Sequence, residues 1–118
     1  MNELVLAVDD NQRILDLVTM VLRQAGYRTV TAVTGAEAQN KITEETPALI
    51  ILDMSLPDTS GMELLKAVRQ TSEVPVIILS ALDAAAGKAG KLPGVQFISK
   101  PFDPMELVNC VKQTLGPA

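Results

Sequence analysis

Short, wholly apolar runs alternate along the chain with longer stretches in which apolar residues recur every three or four positions. The runs Leu4-Val5-Leu6-Ala7-Val8, Leu49-Ile50-Ile51-Leu52 and Val76-Ile77-Ile78-Leu79 lack the in-and-out alternation of a half-solvated sheet. Strands buried on both faces read this way, as they do in parallel sheets covered by helices. A weaker strand is expected over 28–33 and another at Phe97-Ile98-Ser99. Strands that alternate with helical segments are the mark of repeated βαβ units, so the fold class is α/β with a parallel sheet. Five strands and five helices fit the 118 residues.

The helical segments carry their own start and stop signals. The first presents Ile14, Val18, Val21 and Leu22 at helical spacing and stops near Gly26, suited to a left-handed position just past a helix end. Thr34-Gly35-Ala36-Glu37 has the form of a capping box, in which hydroxyl and carboxylate each satisfy a free backbone N–H, and the second helix should end before Pro47. Ser60-Gly61-Met62-Glu63 repeats that form and opens a third helix with Met62, Leu65 and Val68 inward. Pro75 leads into the fourth strand. Asp103, Pro104 and Glu106 make the clearest start of all, opening a helix with a stripe of Leu107, Val108, Val111 and Leu115 that ends at Gly116-Pro117. Between Ala81 and Gly94 a helix must link two parallel strands, yet Gly87, Gly90, Pro93 and Gly94 interrupt it. Each interior glycine costs about 1 kcal/mol relative to alanine, so this fourth helix is expected to be short or irregular, with 82–93 mobile.

The length suits a single domain spanning 1–118, large enough to bury a core without staples. Cys110 is alone and cannot form an internal disulfide, which fits a reducing, cytoplasmic setting. No apolar run reaches the ~18–20 residues that span a bilayer, and no signal peptide is evident, so membrane insertion is not expected. A net charge of −4 without a basic cluster argues against direct nucleic-acid binding. The absence of histidine excludes Ser-His-Asp and Cys-His catalysis. Carboxylate, hydroxyl and lysine remain.

Those groups stand where strands end. Asp9 and Asp10 follow the first run, Asp53 the third strand, Ser80 the fourth and Lys100 the last. Ligand crevices of open α/β sheets lie at the carboxyl ends of the strands, where residues distant in sequence converge. Three carboxylates, a hydroxyl and an ammonium suggest metal-assisted phosphoryl transfer. Taken singly, each has a blander role: Asp10 as a helix cap with Asp9 in solvent, Asp53 and Ser80 as turn residues, Lys100 as a surface charge, Phe97 as a core aromatic. Gly87-Lys88-Ala89-Gly90-Lys91 is not a P-loop, which needs glycine where Ala85 stands and Ser or Thr where Leu92 stands.

Val8-Asp9-Asp10-Asn11, Leu52-Asp53-Met54-Ser55-Leu56-Pro57-Asp58-Thr59-Ser60-Gly61, Ser80-Ala81 and Ser99-Lys100-Pro101-Phe102 together resemble the receiver domain of two-component response regulators, over essentially the whole chain. The resemblance implies a flavodoxin-like sheet of order 2-1-3-4-5 and a phosphoryl group accepted by Asp53 from a sensor histidine kinase or a histidine phosphotransfer protein. It implies Mg²⁺, with Mn²⁺ as a substitute, on Asp10, Asp53 and the Ser55 backbone carbonyl, with Asp9 acting through water. Such a hard cation suits oxygen ligands. Lys100 and Ser80 would meet the phosphoryl oxygens, Ser80 and Phe97 would form the switch, and the Lys100–Pro101 bond would be cis. Leu82 stands where the family often has a polar residue near the hydrolytic water, which implies a long-lived phosphoryl group. The output partner or domain stays open, as does a phosphorylation-dependent dimer. Two alternatives remain: a haloacid dehalogenase-type phosphatase, which normally has a second Asp where Ser55 stands, and a pseudo-receiver that binds partners without being phosphorylated.

Overall fold

The computed structural model describes residues 3–80 and 94–116. In chain order the elements are β1 (Leu4–Val8), α1 (Gln12–Gln24), β2 (Arg28–Ala32), α2 (Gly35–Glu45), β3 (Leu49–Asp53), α3 (Gly61–Arg69), β4 (Val76–Ser80), β5 (Val95–Ser99) and α4 (Pro104–Leu115). The five strands form one sheet in the order β2-β1-β3-β4-β5, and every pairing is parallel. With helices on both faces this is the doubly wound, flavodoxin-like arrangement. The expected fourth helix, its irregularity and Leu82 lie outside the described residues.

The central strands β3 and β4 are buried from end to end, which is why their sequences are unbroken apolar runs. Alternation along each strand divides the core in two. Val5, Ala7, Leu49, Ile51, Ile77 and Leu79 face α1 and α4, meeting Leu15, Val18, Leu22, Leu107, Val108 and Val111. Leu6, Val8, Ile50, Leu52 and Ile78 face α2 and α3, meeting Ala38, Leu64, Leu65 and Val68. Each fully buried Leu, Ile or Val contributes about 1.5–3 kcal/mol relative to exposure, so the sheet is a rigid platform for whatever stands at its ends.

Helix phases differ in detail from the expected stripes. In α1 the centre of the buried face is Leu15, Val18 and Leu22, while Ile14 and Val21 flank it half-buried. In α3 Leu64 joins Leu65 and Val68 at the centre, and Met62 moves to the rim. A two-sided apolar stripe leaves the phase free by one residue, and packing on the sheet decides it. The caps are Asn11, Thr34, Ser60 and Asp103. Thr34 accepts the Glu37 N–H, yet Glu37 reaches the N–H of Val33 (3.1 Å) rather than that of Thr34. Ser60 accepts the Glu63 N–H, and Glu63 turns outward to Lys66. Among the described residues no helix is long and apolar enough to cross a membrane.

Candidate functional site

Parallel register lines up the carboxyl ends of four strands. Val8 pairs with Leu52, Asp53 with Leu79, and Ser80 with Ser99. Asp9, Asp53, Ser80 and Lys100 therefore follow one another across one edge of the sheet. One carboxylate oxygen from each of Asp9, Asp10 and Asp53 lies within 4.8 Å of the others. Lys100 reaches in from the end of β5, its Nζ 3.2 Å from Asp9 Oδ2 and 3.0 Å from Asp53 Oδ1. Its backbone N–H donates to the Ser80 carbonyl at 2.7 Å, and the Lys100–Pro101 peptide is cis.

The carboxylates differ in surroundings. Asp9 is 2% exposed and both its oxygens are engaged, Oδ1 by the Asn11 N–H (2.9 Å) and Oδ2 by Lys100. Asp53 is 8% exposed; its Oδ1 meets Lys100, and Oδ2 makes no hydrogen bond among the described residues. Asp10 is exposed at the mouth. The first helix is capped by Asn11, whose side chain accepts the Arg13 N–H at 3.0 Å. Asp10 is thus not the cap of α1, and Asp9 is not in solvent.

Burial pushes the Asp9 carboxyl up, and the charge of Asp53 adds to it; the Asn11 N–H and Lys100 oppose both without reversing them. At Lys100 burial pulls the ammonium down, yet hydrogen bonding to Asp53 and the charges of both carboxylates outweigh it, leaving the pKa raised. Two unit charges ~4 Å apart interact by about 4 kcal/mol at an effective dielectric of 20, and the Lys100 ammonium, in contact with Asp9 and Asp53 but not Asp10, does not match the negative charge of all three carboxylates. Hard oxygen donors around one point, one of them open to solvent, fit a small divalent cation.

Ser80 closes β4 and is buried, on the same sheet face as Val76 and Ile78. Phe97 pairs with Ile78 on that face and packs half-buried against the α2/α3 core, two residues before the partner of Ser80. Ser55 lies in the loop between β3 and α3, which closes on itself. Ser55 and Ser60 form an antiparallel bridge, the Leu56 N–H donates to Thr59 O at 3.1 Å, and the Gly61 N–H donates to Met54 O at 2.7 Å. Gly61 permits this closure, because a Cβ there would stand 2.7 Å from the Asp53 carbonyl oxygen. Asp58, at the tip of the loop, accepts the Gly35 and Ala36 N–H groups at the start of α2. No local pattern in the sequence points to that contact; the Asn11 cap was legible as an Asn directly before a helical period.

The family model for the response regulator receiver domain matches residues 5–112. The chain is 38% identical to a protein from Chloroflexus aurantiacus J-10-fl assigned as a response regulator, with 98% of each chain covered and a TM-score of 0.89. The chemotaxis response regulator CheY4 of Vibrio cholerae is 33% identical over 98% of this chain and all of its own, with a TM-score of 0.88. NtrX from Brucella abortus is 32% identical over 98% of this chain but only 27% of its own length, with a TM-score of 0.87.

Proposed function

The chain belongs to the response regulator receiver domain family, and from that premise we propose that residues 1–118 form a single phosphoacceptor module of a cytoplasmic phosphorelay. Asp53 takes a phosphoryl group from a phosphohistidine on a sensor histidine kinase or histidine phosphotransfer protein, and the modified domain binds its output partner differently. It is a signalling domain whose only chemistry is on itself. The observation that carries the proposal is the placement of Lys100 Nζ at hydrogen-bond distance from both Asp9 and Asp53, beside Asp10.

Asp53 Oδ2, the oxygen not engaged by Lys100, is the nucleophile. It forms the O–P bond as the P–N bond breaks, and the imidazole nitrogen keeps the electron pair. A carboxylate nucleophile has no proton to give up as it attacks, so no general base is needed, which agrees with a chain that holds no histidine. Lys100 exchanges a carboxylate contact for one to a phosphoryl oxygen and stabilises charge that spreads over the equatorial oxygens. Ser80 donates its hydroxyl hydrogen to another of those oxygens and so couples modification to the end of β4. Phe97, on the same face, takes the space that Ser80 leaves. Asp10, Asp53 and the Ser55 carbonyl would hold Mg²⁺ or Mn²⁺, with Asp9 through water, and the cation would supply positive charge to the phosphoryl oxygens. A population shift of this kind needs only that the partner prefer one of two states.

Incubation with acetyl phosphate and Mg²⁺ tests the proposal. One stable phosphoryl group per chain in the intact mass is the expected result. Continuous release of inorganic phosphate without accumulation would indicate a phosphatase instead, and no labelling would indicate a binding module that is never phosphorylated.

A further inference from the structure

The loop that follows the acceptor strand is fastened to the rest of the molecule at its tip, far in sequence from where it is held. Asp58 Oδ1 accepts the Gly35 N–H at 2.8 Å, and Oδ2 accepts the Ala36 N–H at 3.1 Å. These are the first two residues of α2, whose amides have no partner within the helix. The helix's own cap, Thr34, takes only the next available group, the Glu37 N–H. Gly35 makes the approach possible. A Cβ there would lie 2.4 Å from Thr59 Cγ2 and 3.3 Å from Asp58 Oδ1, so an added methyl would turn the Thr59 side chain away and press on the Asp58 contact by a few tenths of an ångström. A carboxylate bridging two N–H groups at a helix start is charge-assisted and directional.

From tip to root the loop is a short ladder. Asp58 sits inside the Leu56-to-Thr59 turn, the Ser55–Ser60 bridge comes next, and the Gly61 amide closes on Met54 O beside Asp53. Leu56 is buried in the α2/α3 core and keeps the ladder from swinging outward. We propose that Asp58 is a positioning residue for the phosphoacceptor site: by clamping the loop tip to the start of α2 it sets where the Ser55 carbonyl and the Asp53 carboxylate stand. This rests on the function proposed above. It adds that the start of α2, a part of the molecule with no group in the pocket, determines how well the pocket holds a cation. Tethers one step removed from the ligands have effects of this kind in metal sites generally, where their loss typically weakens affinity by about 10–100-fold.

The test compares Asp58→Ala and Gly35→Ala with Thr34→Ala, which removes a cap from the same helix end without touching the loop. Mg²⁺ affinity is measured by calorimetry, labelling by acetyl phosphate is followed at low and saturating Mg²⁺, and amide exchange is read at Leu56 and Gly61. Asp58→Ala and Gly35→Ala should speed exchange at those amides, weaken Mg²⁺ binding by about tenfold and slow labelling at low Mg²⁺ only. Asp58→Asn keeps one acceptor oxygen and should fall between. Thr34→Ala should lower the melting temperature and leave Mg²⁺ affinity and the loop amides as in wild type. If Asp58→Ala lowers stability as Thr34→Ala does and leaves Mg²⁺ affinity within twofold, Asp58 is a helix cap and the inference is wrong. If wild type itself neither binds Mg²⁺ nor accepts phosphate while its loop amides are protected, the function proposed for the pocket fails, and this inference falls with it.

Discussion

Two sets of carboxylates stand near the same end of the sheet and are held in opposite ways. Asp58 is exposed, and its two oxygens accept backbone N–H groups at a helix start; those hydrogen bonds hold its carboxyl below the ordinary carboxylate range. Asp9 is buried against Asp53 with a lysine shared between them, and its carboxyl is pushed up. The first carboxylate is stabilised by the fold; the second is tolerated by it. Each group accepts two donors, so what decides is burial: at Asp9 desolvation outweighs the Asn11 N–H and Lys100, whereas Asp58, in solvent, keeps the effect of its two N–H groups. A protein retains such a poorly compensated charge where a ligand is to supply the missing positive charge.

Removing the one ammonium should break the contrast most severely. Lys100→Met leaves Asp9 and Asp53 facing each other without a cation, and should cost about 3 kcal/mol, the low side of what an uncompensated buried charge costs, as well as abolish labelling. Chemical denaturation and intact mass measure the two effects. A variant as stable as wild type at neutral pH would mean that the carboxylates take up a proton instead.

Supplying a second cation should move the pocket the other way. At a hundred times its dissociation constant Mg²⁺ should raise stability by about 2.7 kcal/mol, and Asp10→Ala should lose that response. An equal thermal shift in wild type and variant would exclude Asp10 as a ligand.

Opposite signs are expected from one isosteric change at two positions. Asp9→Asn removes a charge that burial and Asp53 disfavour, keeps an acceptor for the Asn11 N–H, and should raise the melting temperature of the metal-free protein by a few degrees. Asp58→Asn removes a charge that the Gly35 and Ala36 N–H groups favour, and should lower it. Melting temperatures of the same sign would end the contrast.

The smallest effect is the pH dependence of those differences. The folded-state pKa of Asp58 is depressed, so its contribution is present above the unfolded-state value and is lost as pH falls through the lower folded value. The folded-state pKa of Asp9 is raised, so the folded chain binds more protons in the window between the unfolded value and the raised one, and stability falls as pH rises through it. Denaturation of wild type, Asp9→Asn and Asp58→Asn between pH 3 and neutrality should therefore show Asp58→Asn converging on wild type in acid and Asp9→Asn diverging from it as pH rises.

Legibility in the sequence follows the range over which each signal acts. The strands of the core were plain because burial on both faces leaves unbroken apolar runs. Asp9, Asp10, Asp53, Ser80 and Lys100 were visible because each stands at the end of a run or just past it, and parallel order carries strand ends to one edge. Helix phase was less plain: Leu15 and Leu64 sit next to residues equally apolar, and only packing against the sheet chooses between neighbours. Glu37 bonded one residue earlier than a capping box requires, since side-chain reach permits either amide. The Asp58 clamp was invisible, because its donors lie 22 and 23 residues away and Pro57-Asp58 reads as an ordinary turn.

The central claim is that Asp53 is where the phosphoryl group goes, and locating that group in the chain tests it directly. Protein labelled with acetyl phosphate in Mg²⁺ is reduced with borohydride, which converts an aspartyl phosphate to homoserine, and its peptides are mapped by mass. Homoserine at position 53 alone, with no labelling of Asp53→Asn, is the predicted result. Modification at Asp9 or Asp10, or undiminished labelling of Asp53→Asn, would contradict it.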